Sequence, residues 1–158
     1  MTEAQLPDQV LENQRLDELR RRRSEMREAM EALEAALARP VHAAGPAWSE
    51  RVHVALVELS VDLRDHISIT EGPGGLHEQI VKAAPRLAHG VTQLSADHTR
   101  LREILDEALA SAGGPDAEKH VEHTREYGTA LLGRLVRHRQ HSSDLIFETL
   151  EVDIGGET

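Results

Sequence analysis

Apolar residues recur along this chain at steps of three, four and seven, the spacing that places side chains on one helix face. Four long segments carry the pattern, with proline and glycine between them. The first opens at Pro7-Asp8 and runs to about Arg39, with Leu16, Leu19, Met26, Met30, Leu33 and Leu37 along one stripe. The second opens after Gly45-Pro46, with Ser49 as the expected N-cap. It carries Val52, Leu56, Leu59, Leu63 and Ile67 as far as Gly72-Pro73-Gly74-Gly75. A short piece, Leu76–Ala84, makes about two helical turns in the connection. Pro85 falls where a first helical turn tolerates it. The third segment follows with Leu87, Val91, Leu94, Leu101, Leu105 and Leu109, and ends at Gly113-Gly114-Pro115. The fourth runs from near Asp116 to about Leu150 through Leu131, Leu132, Leu135, Leu145 and Ile146, and the tail Asp153–Thr158 is expected to fray.

Long helices joined by short connections pack as antiparallel neighbours. The pattern therefore predicts an all-α, antiparallel four-helix bundle. It has an extended first helix and a short connecting helix between the second and third long ones. At 158 residues the chain reads as a single domain over 1–158, with its core over about 8–150. A weak internal repeat runs through it, because Arg23–Glu31 matches His98–Asp106. Arg23 precedes His66 by 43 residues and His98 precedes His138 by 40. The two halves read as copies of one helical hairpin, in which Arg23 corresponds to His98, His66 to His138 and Glu71 to Ser143.

Composition narrows the function. There is no cysteine, which excludes disulfides, thiolate metal sites and cysteine nucleophiles and fits a reducing compartment, the cytoplasm. One Trp, one Tyr and one Phe leave an aliphatic core and argue against an all-β fold. A net charge of -10 lacks the basic face of a duplex-DNA binder. No apolar run approaches the roughly 20 residues of a membrane span, and Met1–Leu6 is no secretory signal. Neither nucleic acid nor membrane is an expected partner. Arg20–Arg23 lies among Asp17, Glu18, Glu25 and Glu28, where intrahelical pairing accounts for it. The extension of the first helix before Arg15 is a candidate homodimer contact.

The chain has ten histidines, and three fall on apolar stripes. His66 follows Leu59 by seven and Leu63 by three; His98 follows Val91 by seven and Leu94 by four; His138 follows Leu131 by seven and Leu135 by three. A lone histidine on such a stripe is ordinarily a hydrogen-bonded core residue. Three of them, on three helices, each need a polar partner that an aliphatic core does not supply, and one shared metal satisfies all three. Glu71 stands five residues after His66, at a helix end where its carboxylate can bend inward; the alternative is an exposed helix-end acid. His141, one turn after His138, can reach the same cavity. His53 and His89 lie off the stripes and read as surface groups, and His42 falls in a loop. His77 sits in the glycine-rich connection, where a supporting role near a metal is one option. His120 and His123 share a face with Tyr127 and read as a solvated first turn, with a weak second metal site as the alternative.

The segments His66-Ile-Ser-Ile-Thr-Glu71-Gly-Pro-Gly-Gly-Leu76, Asp97-His98-Thr-Arg-Leu101 and Leu135-Val-Arg-His138 resemble the hemerythrin-like (HHE cation-binding) family, over roughly residues 23–150. The resemblance implies a four-helix bundle of two hairpins, with a His on each first helix and His-x(3–4)-Glu/Asp on each second. It implies a non-haem di-iron centre used for reversible O2 binding, peroxide or NO chemistry, or iron sensing. On this resemblance His66, Glu71, His98 and His138 are the metal ligands. Two positions depart from the pattern. Arg23 stands where the first helix should offer His, and Ser142-Ser143 stand where the fourth should offer a carboxylate, Asp144 being one place too far. Three His and one Glu suit a single Fe or Zn and are few for two ions. Arg23 would also repel a second cation, and is free to bind an anion or pair with Glu71.

The expected function is a non-haem iron protein, with one or two ions and zinc as the other metal, interacting with O2, peroxide or NO. Two rival readings stand beside it. One is a metal-free bundle serving as a scaffold or partner-binding module, which Arg23 and Ser143 favour. The other is an iron-dependent oxidase or oxygenase acting on a small organic substrate, which requires a cavity beside the metal. Membership of His141, Tyr127 and Arg23 in the site stays open.

Overall fold

A computed structural model describes residues 7–41 and 45–155 of the chain. Its elements are α1 (Pro7–Ala38), α2 (Gly45–Glu71), α3 (Leu76–Ala83), α4 (Ala88–Ala112) and α5 (Val121–Gly155), with 3-10 turns at Pro85–Leu87 and Ala117–His120 leading into α4 and α5. No strand occurs among the described residues. The four long helices form a ring: α1 packs on α2, α2 on α4, α4 on α5, and α5 back on α1, while α3 lies against α2, α4 and α5. Among the described residues no helix is long and apolar enough to cross a membrane.

Two boundaries differ from the expectation. Because α2 already begins at Gly45, Ser49 is not its N-cap but a buried residue inside the helix. The start belongs to Gly45-Pro46, since proline's fixed φ and missing N–H suit the first helical turn. At the other end α5 continues to Gly155, beyond Leu150 and into the segment expected to fray, because Glu151–Ile154 contains no proline or glycine. Residues 1–6 of the proposed dimer-contact extension, His42, and the last three residues of the tail lie outside the described residues.

The aliphatic stripes bury in two clusters. The larger unites Leu33 of α1, Leu56 and Leu59 of α2, Leu101 and Leu105 of α4, and Leu131 of α5. The smaller gathers Ile80, Leu87, Val91, Leu94 and Leu145. Each leucine removed from water contributes about 1.5–3 kcal/mol, so these clusters hold the ring together. Along α4 the order is Leu94, His98, Leu101, and along α5 it is Leu135, His138, Leu145, so each helix changes cluster at a histidine. A polar layer between two greasy ones must find its partners within itself.

The connections are pinned by specific contacts. Trp48 Nε1–H donates to the Arg39 carbonyl at 2.9 Å, just past the end of α1, and Arg125 of α5 lies 5.4 Å over its ring. Between α2 and α3, Gly74 adopts φ 71, a left-handed conformation that glycine takes without steric cost. The Gly74 N–H donates to the Glu78 carboxylate at 2.6 Å and Gln79 Nε2 to the Gly74 carbonyl at 2.9 Å, which fixes the chain just after Glu71. The arginine run is not satisfied within its helix alone. Arg22 donates to Glu18 at 3.0 Å and also crosses to Asp65 of α2 at 2.9 Å, because its face of α1 is the one that packs on α2.

Candidate metal centre

His66 of α2, His98 of α4 and His138 of α5 meet in the polar layer, each offering one nitrogen within 4.8 Å of the others. His98 and His138 are buried, at 2% and 5% exposure, and His66 is partly buried. Ring centroids lie 5.2 Å apart for His66 and His98, 5.8 Å for His66 and His138, and 4.6 Å for His98 and His138. The helix register does this: each ring sits three or four residues from a buried leucine and shares its inward direction.

The hydrogen-bond partners fix how the rings present themselves. His98 Nδ1 lies 2.9 Å from Glu71 Oε1, and His138 Nδ1 lies 3.2 Å from Asp97 Oδ2. An ionised carboxylate only accepts, so in the neutral rings both Nδ1 atoms carry the proton and both Nε2 atoms carry a lone pair. Those two Nε2 atoms face each other at 3.0 Å. Two lone pairs at that distance repel unless a proton or a cation lies between them. Two nitrogens bound at about 2.0–2.1 Å to one ion and separated by this much would subtend about 90–100°, an ordinary angle at a metal.

Glu71 therefore stands behind His98, on the nitrogen turned away from the cluster, and not among the three converging nitrogens. Asp97 does the same for His138. Sequence reasoning did not single out Asp97, because residues adjacent along a helix point about 100° apart and its partner is on another helix. For His77 it offered a supporting role near a metal as one option and no contact with a particular ring. The His77 ring is buried at 8% exposure, stacks on His98 with centroids 5.6 Å apart and planes 10° apart, and places Nδ1 3.3 Å from Ser95 Oγ. A signal existed, since His77 and Ile80 are three residues apart and share the buried face of α3.

The other histidines divide differently. His141 Nδ1 lies 3.6 Å from Asp97 Oδ2, so it touches the cluster through that carboxylate. Tyr127 packs against the larger apolar cluster and stacks on His123 at 6.0 Å; His120 and His123 are exposed. His89 is exposed beside Gln93, whereas His53 is partly buried against Gly113, where a Cβ would collide with its ring.

Burial dominates the electrostatics. It pushes His66 down to about 3, helped by His98, His138, His77 and Arg23. It pushes His98 down to about 4, opposed by the hydrogen bond to Glu71. Burial also lowers His138, against the pull of Asp97, and His77. For Glu71 burial raises the pKa, but the hydrogen bond from His98, with the Ser95 hydroxyl nearby, outweighs it and holds the carboxyl below its ordinary value. At neutral pH the cluster is uncharged imidazole backed by ionised carboxylate, the state in which histidine binds a metal.

A cavity of about 80 Å³ opens beside His66 and His138, and Arg23, Ser142 and Ser143 line it. The positions that depart from the resembled pattern thus share one space. Among the described residues Arg23 and Glu71 form no ion pair, and Asp144 accepts from Gln140 Nε2 at 2.9 Å on the exposed side of α5. No protein-family model, no curated protein and no solved structure matches this chain.

Proposed function

We propose that this protein is a metal-binding bundle in which His66, His98 and His138 hold one ion. The observation that carries the proposal is the facing pair of Nε2 atoms, 3.0 Å apart in a buried layer, with both opposite nitrogens held by carboxylates. Glu71, expected as a ligand, is proposed as the group that fixes the His98 ring, and Asp97 as its counterpart for His138. We propose iron, on the resemblance to the hemerythrin-like family, with zinc as the other metal a three-imidazole set suits. On the same ground the ring of helices is read as an antiparallel, two-hairpin bundle, which the short links between the touching pairs α1–α2 and α4–α5 support.

When bound, such an ion supplies a Lewis-acidic, redox-active centre for O2, peroxide or NO. The chain's own part is to hold three neutral imidazoles in register, to exclude water with an apolar cluster on either side, and to leave access through the cavity beside His66 and His138. Arg23 sits on that access and disfavours a second cation, which supports one ion over two.

A metal-free scaffold is the second reading, and one observation favours it. The chain Glu71–His98–His138–Asp97 is a continuous run of hydrogen-bond distances that one shared proton would complete. Anaerobic titration with Fe(II) separates the two. The metal reading expects saturation at one equivalent and a new optical spectrum on admitting O2; a spectrum and a stoichiometry unchanged from buffer support the scaffold.

A further inference from the structure

The cavity beside the histidines has a lining of two unlike kinds. Met26, Leu63 and Leu135, which line it together with His66 and His138, are buried. Arg23 and Arg139, which line it with Ser142 and Ser143, are exposed. A third arginine there, Arg22, already faces Glu18, Glu25 and Asp65. Among the described residues Arg23 and Arg139 form no ion pair. On a chain of net charge -10, two exposed arginines without a carboxylate partner lining one cavity suit it to an anion, because the planar fork of arginine matches a carboxylate in geometry and charge.

Size and lining narrow the anion. A volume of about 80 Å³, at roughly 10–15 Å³ for each water-sized position, holds about five to eight non-hydrogen atoms. An inorganic oxyanion would leave the apolar lining in contact with water, and a neutral alcohol would leave the arginines unused. We propose that this cavity binds a small monocarboxylate with a short hydrocarbon part. Its carboxylate sits on Arg23 and Arg139, with the Ser142 and Ser143 hydroxyls in reach, and its hydrocarbon part lies on Met26, Leu63 and Leu135, ending beside His66 and His138. Arg23 corresponds in the internal repeat to His98, so the first half of the chain carries an anion-binding group where the second carries an imidazole. As the substrate class of a metal centre the proposal rests on the reading above; as a binding site it does not.

Isothermal titration of the full-length protein tests it, in metal-loaded and chelator-stripped form, with sodium butyrate as probe and 1-butanol and inorganic phosphate as controls. The expected result is butyrate binding at millimolar concentration or tighter, at least about tenfold stronger than either control. Binding should fall about tenfold or more in the double variant Arg23→Met, Arg139→Met, which trades two exposed charges for apolar stems and keeps its melting temperature. Butyrate binding that survives the double variant unchanged, or no binding at all, overturns the proposal. Phosphate binding as well as butyrate overturns the hydrocarbon part of it. Because the stripped protein is titrated alongside, failure of the metal reading leaves this outcome readable.

Discussion

His98 on α4 and His138 on α5 aim their Nε2 atoms at each other across 3.0 Å, and each has its other ring nitrogen against a carboxylate. Carboxylates at both Nδ1 atoms leave the two neutral rings one role at the centre of the pair, that of lone-pair donor. His66 completes a third side from α2. The arrangement uses three helices, so a single ion would tie them together as well as serve chemistry.

If Glu71 and Asp97 act by holding the rings, removing their charge while keeping their shape should weaken metal binding without abolishing it. Glu71→Gln and Asp97→Asn are each expected to lower affinity by about 10–100-fold, read by competition with a chelator, with helical content unchanged by circular dichroism. Unaltered affinity in both would show that the carboxylates do not set the ring orientation.

The metal-free protein should be acid-sensitive in a defined window. Free imidazole titrates near 6.5, while burial puts His66 near 3 and His98 near 4 in the fold. Between those values the unfolded chain binds more protons than the folded one, so stability has its full value above pH 6.5 and falls as pH drops from there towards 3. The loss is on the order of a few kcal/mol, measured by denaturant unfolding at stepped pH. Bound metal should move the loss to lower pH, because protons then compete with the ion. Stability that stays flat from pH 7 to 4 in the stripped protein would contradict the buried, neutral cluster.

His77 stacks on His98 but is not one of the three converging rings. His77→Ala should leave the metal stoichiometry unchanged and cost about 1–3 kcal/mol through the void beside His98, and His77→Phe should restore part of that by keeping the stack. Thermal melts and metal analysis of both variants check this; loss of metal in both would make His77 a ligand.

Gly75 closes the turn that follows Glu71, and a Cβ there would collide with the carbonyl oxygens of Ile69 and Thr70. Backbone cannot yield as a side chain can. Gly75→Ala is expected to destabilise the protein by about 1–3 kcal/mol and to weaken metal binding by displacing Glu71 from His98. A melting temperature equal to that of the unaltered protein would show that the turn adapts freely.

The histidines on α2, α4 and α5 were legible in the sequence because periodicity reports direction within a helix: His66, His98 and His138 each keep step with leucines that are buried. The same logic gave the long segments of the four helices and the short α3. It failed where a contact depends on how helices face one another. Asp97 is off the apolar stripe of its own helix and meets His138 only because α5 lies alongside α4. His77 was weighed for a supporting role near a metal, but its stack on His98 was not legible, because α3 has only eight residues, too few for its stripe to stand out beside a glycine-rich turn. Glu71 was expected as a ligand and lies 2.9 Å from His98 Nδ1; spacing alone does not say whether a carboxylate touches an ion or the back of a ring. Ser49 was misplaced because proline, and not a hydroxyl, opens α2.

Metal content per chain, measured on untagged protein from iron-supplemented growth and on His98→Ala prepared in parallel, tests the central claim most directly. The account predicts about one ion per chain in the unaltered protein, and none in a His98→Ala variant whose helices remain folded, since the substitution removes one lone pair and leaves only a small void. A clearly sub-stoichiometric metal content in the unaltered protein, or the same content in both, would contradict it.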